Sequence, residues 1–142
     1  MTKYMEAAEI VDYTTYRENE ILPLYSAVGW SNYIAKPEML RGAYEGALCV
    51  LAAKFGDAVI GVLRAVGDGH SILYIQDIIV SPEHQRRGIG TRLLRCVLER
   101  FPQVYQVVLS TDDQPHTVAF YESIGFTAFR KLGCEGFMMM RR

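Results

Sequence analysis

The chain has 142 residues, of which 50% are hydrophobic and 22% are charged. This length and composition predict one compact domain with a single core over residues 1–142. The 15 basic and 16 acidic residues leave a net charge of -1 at pH 7, which argues against nucleic acid as the main partner. The apolar stretches are too short to span a bilayer and the N-terminus carries charges, so the expected location is cytoplasmic.

The cysteines and histidines are not spaced as a metal site. Cys49, Cys96 and Cys134 are odd in number, lie far apart and form no C-x-x-C pair. This spacing predicts ordinary thiols rather than a disulfide framework or a structural zinc site. The three histidines are equally scattered, so no metal is expected.

The first half of the chain is predicted to form a strand, two helices and a β-hairpin. These elements cover residues 4–12, 18–28, 37–44, 47–55 and 58–66 in that order. Gly29 ends the first helix and Pro37 opens the second. Gly56 and Asp57 join the last two runs, which favours antiparallel pairing through a tight turn.

The second half alternates strands and helices. Residues 71–80 form the longest run, apolar on both faces as in a central strand, and Pro82 ends it. A helix is predicted at 91–101, a strand at 104–110, a helix at 115–123 and strands at 126–131 and 136–140. This order predicts an α/β fold with a parallel pair at the centre of an otherwise antiparallel sheet, flanked by about four helices.

The most informative segment is the loop Gln85-Arg86-Arg87-Gly88-Ile89-Gly90, between the long strand and the next helix. Gly88 and Gly90 let the backbone approach a bulky anion, and the first N–H groups of the helix, up to Thr91, lie at its positive dipole end. No lysine follows Gly90, which excludes a P-loop, and Leu93 stands where a dinucleotide fingerprint needs its third glycine. The loop therefore predicts a diphosphate site.

The pattern Q-x-x-G-x-G after a strand that ends in Val80-Ser81-Pro82 resembles the acetyl-CoA signature of the GNAT superfamily of N-acetyltransferases. The resemblance implies a mixed sheet whose two parallel strands splay apart, with the pantetheine arm of acetyl-CoA paired to the backbone of the first strand. It also implies that a backbone N–H near Ile79 polarises the thioester. The two arginines would add charge against the phosphates, with solvated surface side chains as the alternative. The implied cofactor-binding residues are Ile78, Ile79, Val80, Gln85, Arg86, Arg87, Gly88, Ile89, Gly90, Thr91 and Gln114.

A second segment, Phe120-Tyr121-Glu122-Ser123-Ile124-Gly125-Phe126, resembles the F-Y-E-x-x-G-F signature of the same superfamily. The resemblance implies that the hydroxyl of Tyr121 lies near the cofactor sulfur and acts as the general acid, since a phenol of pKa ~10 can protonate a thiolate of pKa ~8.5. A core tyrosine on an amphipathic helix is the alternative. Gln114 stands where the superfamily often has an asparagine that holds the pantetheine, although it could also be a helix-cap neighbour of Asp112.

The general base is harder to place, because Tyr74 stands where relatives often carry a glutamate. Asp77 is the only carboxylate in the long strand, and burying it is costly unless it is paired, so it is a catalytic candidate. The alternative is a structural aspartate bonded to the backbone or to Arg64. In the family layout Trp30 and Tyr33 would line the acceptor pocket, with core or interface packing equally open.

The leading hypothesis is direct transfer of an acetyl group from acetyl-CoA to a primary amine of a small molecule or peptide. An acyl-CoA-binding sensor without catalysis is the alternative from another class, and a nucleotide-binding module is a weaker third. The apolar late strands make a homodimer an expectation, and neither nucleic acid nor a membrane is expected as a partner. No motif identifies the acceptor amine.

Overall fold

A computed structural model describes residues 8–141 of the chain. The chain divides into two compact units, Met1–Leu109 and Ser110–Arg142. Within the described residues, all strands belong to the first unit, and the second contains an α-helix followed by a 3-10 helix. The expectation of one domain over residues 1–142 stays a prediction.

The helices and strands follow the predicted order closely. The first unit contains β1 (Ala8–Asp12), α1 (Glu18–Ala27), α2 (Ser31–Ile34), α3 (Pro37–Glu45), β2 (Cys49–Phe55), β3 (Ala58–Gly67), β4 (Ile72–Val80), α4 (Ile89–Arg100) and β5 (Gln106–Leu109). A 3-10 turn, Pro82–His84, lies between β4 and α4. The second unit contains α5 (Pro115–Ile124) and the 3-10 helix Phe129–Leu132.

The strands of the first unit form one sheet in the order β1-β2-β3-β4-β5. Neighbouring strands are antiparallel except β4 and β5, which are parallel and connected through α4, as the sequence predicted. β2 and β3 form the predicted hairpin around Gly56-Asp57. The register shifts by one residue between β3 and β4, at the step from Arg64 to Ala65.

The two faces of the sheet are covered by different helices. Val50, Val62 and Ile79 pack in one core cluster with residues of α1 and α3. Gly61 precedes Val62 on β3 and therefore faces the opposite side of the sheet. A Cβ placed on Gly61 would lie 3.6 Å from a methyl group of Ile89, so α4 covers this second face. Buried side chains of α4 form the apolar face that the sequence predicted, namely Ile89, Leu93, Leu94 and Val97. A buried helix therefore anchors the loop that precedes it.

The structure corrects two expectations about the sheet. The parallel pair lies at one side of the described sheet rather than at its centre, because β5 is the last strand in the order. The predicted strands at 126–131 and 136–140 are wrong, since residues 126–141 contain a 3-10 helix and irregular backbone, with Phe137 97% exposed. β-Branched and aromatic residues favour a strand only where a neighbouring strand packs beside them, and the described part of Ser110–Arg142 contains no strand.

The remaining differences concern element boundaries. The one-turn helix α2 lies in a segment for which no element was predicted, and α4 begins two residues before the predicted start because Gly88 rather than Gly90 caps it. Residues 4–7 of the predicted first strand lie outside the described residues.

Candidate active site

The loop between β4 and α4 has an unusual backbone. Arg86 has a φ of 62° and Gly88 a φ of 80°, both in the left-handed region. Arg86 is the only non-glycine residue with a positive φ among residues 8–141. Such a conformation costs a residue with a Cβ on the order of 1–3 kcal/mol, and residues strained in this way cluster at functional sites. The loop backbone by itself therefore indicates a binding site.

The loop leads directly into the N-terminus of α4. Gly88 is the N-cap residue, and none of the described side chains caps the helix. The first intrahelical bond runs from the N–H of Arg92 to the C=O of Gly88, at 3.0 Å. The N–H groups of Ile89, Gly90 and Thr91 thus precede the helical ladder and lie at the positive end of the helix dipole. These groups fit a diphosphate.

The second part of the site is the free edge of β4. The ladder between β4 and β5 runs from Ile72–Gln106 to Ile75–Leu109 and then ends. β4 continues to Val80 with β3 on one side, whereas no strand among residues 8–141 pairs with its other side. β5 ends at Leu109, so among the described residues the edge of β4 beyond Ile75 has no paired strand, as the splayed geometry implied by the resemblance requires. An extended ligand can pair with backbone groups at such an edge.

Strand alternation decides which backbone groups face this edge. The N–H of Ser81 donates to the C=O of Ile60 at 2.8 Å, so Ser81 faces β3. Every second residue of an antiparallel strand faces the same neighbour, so Ile79 also faces β3 and Ile78 and Val80 face the free edge. The register thus turns the N–H and C=O of Ile79 toward β3, whereas Ile78 offers its N–H at the free edge. The predicted cofactor contacts of Ile78, Ile79 and Val80 stay predictions.

The side chain of Gln85 connects the loop to the free edge. Its Nε2 donates to the C=O of Val80 at 2.9 Å, which occupies one of the outward-facing carbonyls. Gln85 thus holds the loop against the end of β4. Arg86 is exposed and Arg87 is half-buried. Both residues directly precede Gly88, the N-cap of α4, so they are close in sequence to the free N–H groups of that helix.

Asp77 lies in a buried polar network. Its Oδ2 accepts hydrogen bonds from Nε of Arg64 at 2.9 Å and from the hydroxyl of Tyr25 at 2.8 Å, and it lies 2.7 Å from Nη2 of Arg64. The hydroxyls of Tyr25 and Tyr44 are 2.9 Å apart. Because Tyr25 gives its single proton to Asp77, Tyr44 donates to Tyr25. The carboxylate is 2% exposed, and its pairing with Arg64 is the alternative that the sequence left open.

Burial shifts the pKa values of the groups around Asp77. Burial raises the pKa of Tyr25, and the charges and hydrogen bonds of Tyr44 and Asp77 act in the same direction. Burial also raises the pKa of Tyr44. Burial alone would lower the pKa of Arg64, but the charges and hydrogen bonds of Asp77 and Tyr25 together outweigh it and raise that pKa. All three partners therefore keep their protons at neutral pH, which favours a fixed network over proton transfer.

The predicted acceptor residues contact this network through Tyr25. The ring centroid of Tyr25 lies 5.9 Å from that of Trp30 and 5.2 Å from that of Tyr33. Trp30 and Tyr33 are both half-buried, with centroids 6.0 Å apart. The sequence does not mark Tyr25 and Tyr44 as members of this network, because they occupy apolar positions of their helices and their hydroxyl partners are distant in sequence. The one available signal was that a buried aspartate needs donors.

Tyr121 and Gln114 belong to the second unit, Ser110–Arg142. Tyr121 is half-buried on α5, and its ring meets that of Phe126 edge to face with centroids 6.0 Å apart. Burial raises the pKa of its hydroxyl, although a hydrogen bond with Thr111 acts in the opposite direction. Gln114 is the exposed N-cap residue of α5, and its backbone N–H donates to Oδ1 of Asp112 at 3.0 Å.

A cavity of about 320 Å³ lies elsewhere in the first unit. Tyr13, Tyr44, Cys49 and Arg100 are among its lining residues. Arg100 ends α4, whereas the glycine loop begins it, and an α-helix of 12 residues spans ~18 Å. The cavity is therefore distinct from the loop.

The three cysteines are free thiols, as predicted, with Cys49 buried and Cys134 exposed. Among residues 8–141, no three His, Cys, Asp or Glu side chains are grouped so that they could hold a metal ion. The same residues include no helix with the length and apolar character needed to cross a bilayer.

The mixed sheet, the parallel pair with the free edge of β4 and the loop before α4 together define an acetyltransferase type of α/β fold. The model of the acetyltransferase (GNAT) family matches residues 12–126. Because this match covers most of the chain, the protein belongs to the GNAT acetyltransferase family. The matched range includes the loop, β4 and Tyr121, which carried the resemblance in the sequence.

Individual proteins that are similar to this chain in sequence or structure are also acetyltransferases. A GNAT family acetyltransferase from Streptococcus pneumoniae superposes with a TM-score of 0.87 and 39% identity, over 95% of this chain and 98% of that one. An aminoglycoside acetyltransferase from an uncultured soil metagenomic sample, solved with sisomicin, shares the fold with a TM-score of 0.68 and 16% identity over 96% of both chains. Glucosamine 6-phosphate N-acetyltransferase of Trypanosoma brucei brucei is 29% identical over 65 residues, 44% of this chain and 43% of that protein. The chain spans less than half the length of the first curated relatives that it matches.

Proposed function

We propose that the protein transfers an acetyl group from acetyl-CoA to a primary amine. The observation that carries the proposal is the loop at 85–90, where Arg86 and Gly88 adopt left-handed conformations directly before the N-terminus of α4. The pyrophosphate of the donor would bind the N–H groups there. The free edge of β4 supports the proposal, because an extended pantetheine arm would pair with Ile78 as an added strand does.

The proposed reaction forms a C–N bond between the amine and the thioester carbon while the C–S bond breaks. The N–H of Ile78 polarises the thioester carbonyl, and Tyr121 donates its proton to the departing thiolate. The amine loses a proton to water, and solvent returns one to Tyr121. Because burial raises the pKa of Tyr121, its hydroxyl remains protonated at neutral pH and can give its proton to the departing thiolate.

The other predicted residues take supporting roles in this proposal. Asp77 positions β4 instead of acting as the base, since its Oδ2 is already bonded to Arg64 and Tyr25. Trp30 and Tyr33 form part of the acceptor wall. The cofactor contacts of both loop arginines and of Gln114, the cytoplasmic location and the homodimer stay predictions.

The transfer is tested with a panel of amines assayed for release of free CoA. Amino sugars and aminoglycosides belong in the panel because two of the similar proteins carry those substrates in their names. Polyamines and peptides with a free N-terminus or a lysine extend it to the other classes. Release of CoA with at least one amine above the rate of thioester hydrolysis supports the proposal.

A sensor that binds acyl-CoA without catalysis is the second candidate. The observation that favours it is the ion pair of Asp77 with Arg64, which leaves the carboxylate of β4 engaged. A sensor would bind acetyl-CoA in calorimetry and release no CoA above background with any amine in the panel. Absence of acetyl-CoA binding would contradict both candidates.

Gly88→Ala is expected to weaken acetyl-CoA binding at least tenfold. An alanine at φ 80° is strained by about 1–2 kcal/mol, and relief of that strain would turn the N–H groups of α4 away from the phosphates. Calorimetry of the purified variant with acetyl-CoA measures the effect.

Gly29→Ala is the matched control for this substitution. Gly29 has nearly the same φ, 79°, and a Cβ on it would meet no atom within 4 Å. Both variants should lose a similar amount of stability, and Gly29→Ala should keep its affinity for acetyl-CoA. Equal loss of affinity in the two variants would mean that strain alone weakens binding, and the phosphate assignment of the loop would be wrong.

A further inference from the structure

The register shift between β3 and β4 is a β-bulge at Gln76. Arg64 lies opposite Asp77 and Ala65 lies opposite Ile75, so Gln76 is the extra residue of β4. A bulge of this kind redirects a side chain and is common beside active sites. The strand is otherwise buried or half-buried along its whole length, whereas Gln76 is exposed.

The bulge lies where the ladder between the two parallel strands ends. Ile75 forms the last pair of the β4 and β5 ladder, so Gln76 is the first residue of the free edge. Two residues further along, Ile78 offers the outward N–H that the proposed function places at the thioester carbonyl. Gln76 therefore lies at the start of the free edge of β4, on the side of Ile78 that is farther from the diphosphate loop.

The bulge is also fixed in place. Asp77 follows Gln76 directly, and its Oδ2 is bonded to Arg64 on β3 and to Tyr25 on α1. All three partners are 6% exposed or less. A group held by such packed and hydrogen-bonded neighbours is positioned accurately for a ligand.

We infer that the side-chain amide of Gln76 contacts the acceptor amine and orients it toward the thioester. The inference rests on the proposed acetyl transfer and adds the residue that selects the acceptor. The amide oxygen accepts a hydrogen bond from the amine N–H. An uncharged amide suits this task, because a carboxylate in the same place would stabilise the ammonium form and raise the pKa of the nucleophile.

Gln76→Leu tests the contact, because leucine keeps much of the side-chain volume and removes the amide. The KM for the best amine of the panel should rise about tenfold, the effect of losing one hydrogen bond, with the Kd for acetyl-CoA unchanged within twofold. The shift in melting temperature caused by the same amine in the presence of CoA should fall in parallel. This second measurement reports acceptor binding without catalysis.

Gln76→Glu tests the role of the uncharged amide. The rising limb of kcat against pH should move upward, by about half to one pH unit, because the carboxylate holds the amine in its ammonium form. Gln106→Leu and Gln106→Glu are the matched controls, since Gln106 is an exposed glutamine on β5 at the other end of the ladder. Both controls should match the wild type in amine KM and in pH profile.

The outcomes separate this inference from the function on which it rests. An amine KM within twofold of the wild type in Gln76→Leu, or an equal rise in Gln106→Leu, overturns the acceptor contact and leaves acetyl transfer standing. A wild-type protein that binds acetyl-CoA and acetylates no amine overturns the contact together with the transfer function.

Discussion

Replacing Tyr121 with phenylalanine is expected to lower kcat by one to three orders of magnitude, roughly the contribution of a general acid. The substitution removes the hydroxyl and keeps the ring, so the edge-to-face contact with Phe126 is retained. Without the phenol, the departing thiolate has to take its proton from water. The rate of CoA release at saturating acetyl-CoA and amine measures the effect, and the Kd for acetyl-CoA should change little.

Tyr105→Phe is the control for this prediction, because Tyr105 is 85% exposed and belongs to the other unit. It should leave kcat unchanged. The pH profile gives an independent check: since burial raises the pKa of Tyr121, the acid form persists above the usual tyrosine pKa of ~10. Activity of the wild type should therefore not fall between pH 7 and 9 through loss of this proton. An unchanged kcat in Tyr121→Phe would remove Tyr121 from the mechanism.

Local sequence signals predicted the parts of the site that depend on backbone shape. The glycine at position 88 marks a left-handed residue before a helix, and the apolar spacing from Ile89 onward marks the face that α4 buries. Both signals lie within a few residues of the structure that they produce. The strand, helix, strand order likewise left few topologies open, and the parallel pair followed from it.

Features that depend on partners distant in sequence were harder to predict. The register of β4 with β3 decides which backbone groups of β4 face its free edge. A shift of one residue would turn the N–H of Ile79, instead of that of Ile78, toward this edge. No sequence pattern indicated a bulge at Gln76, because a bulge is defined by the pairing of two strands. Aromatic and apolar residues near the C-terminus favoured strands, but a strand needs a neighbour, which the described part of Ser110–Arg142 does not contain.

Asp77→Ala is expected to lower the free energy of unfolding by about 3–5 kcal/mol, because it leaves the guanidinium of Arg64 buried without its counter-charge. Asp12→Ala is the matched control. It also breaks an aspartate–arginine pair, with Arg100, but side-chain exposures of 57% and 41% limit that pair to about 0–1 kcal/mol. Urea unfolding of both variants measures the difference. Similar losses in the two variants would show that the buried network contributes no more than a surface pair.

Stability alone does not decide whether Asp77 also positions β4, and a double substitution separates the two roles. Arg64→Met combined with Asp77→Leu removes both charges, so the double variant should recover most of the stability that Asp77→Ala loses. Its β4 would still lack the bonds that fix the bulge at Gln76, so kcat should stay at least tenfold below the wild type while the Kd for acetyl-CoA is retained. Full recovery of kcat along with stability would mean that the network only holds the fold together.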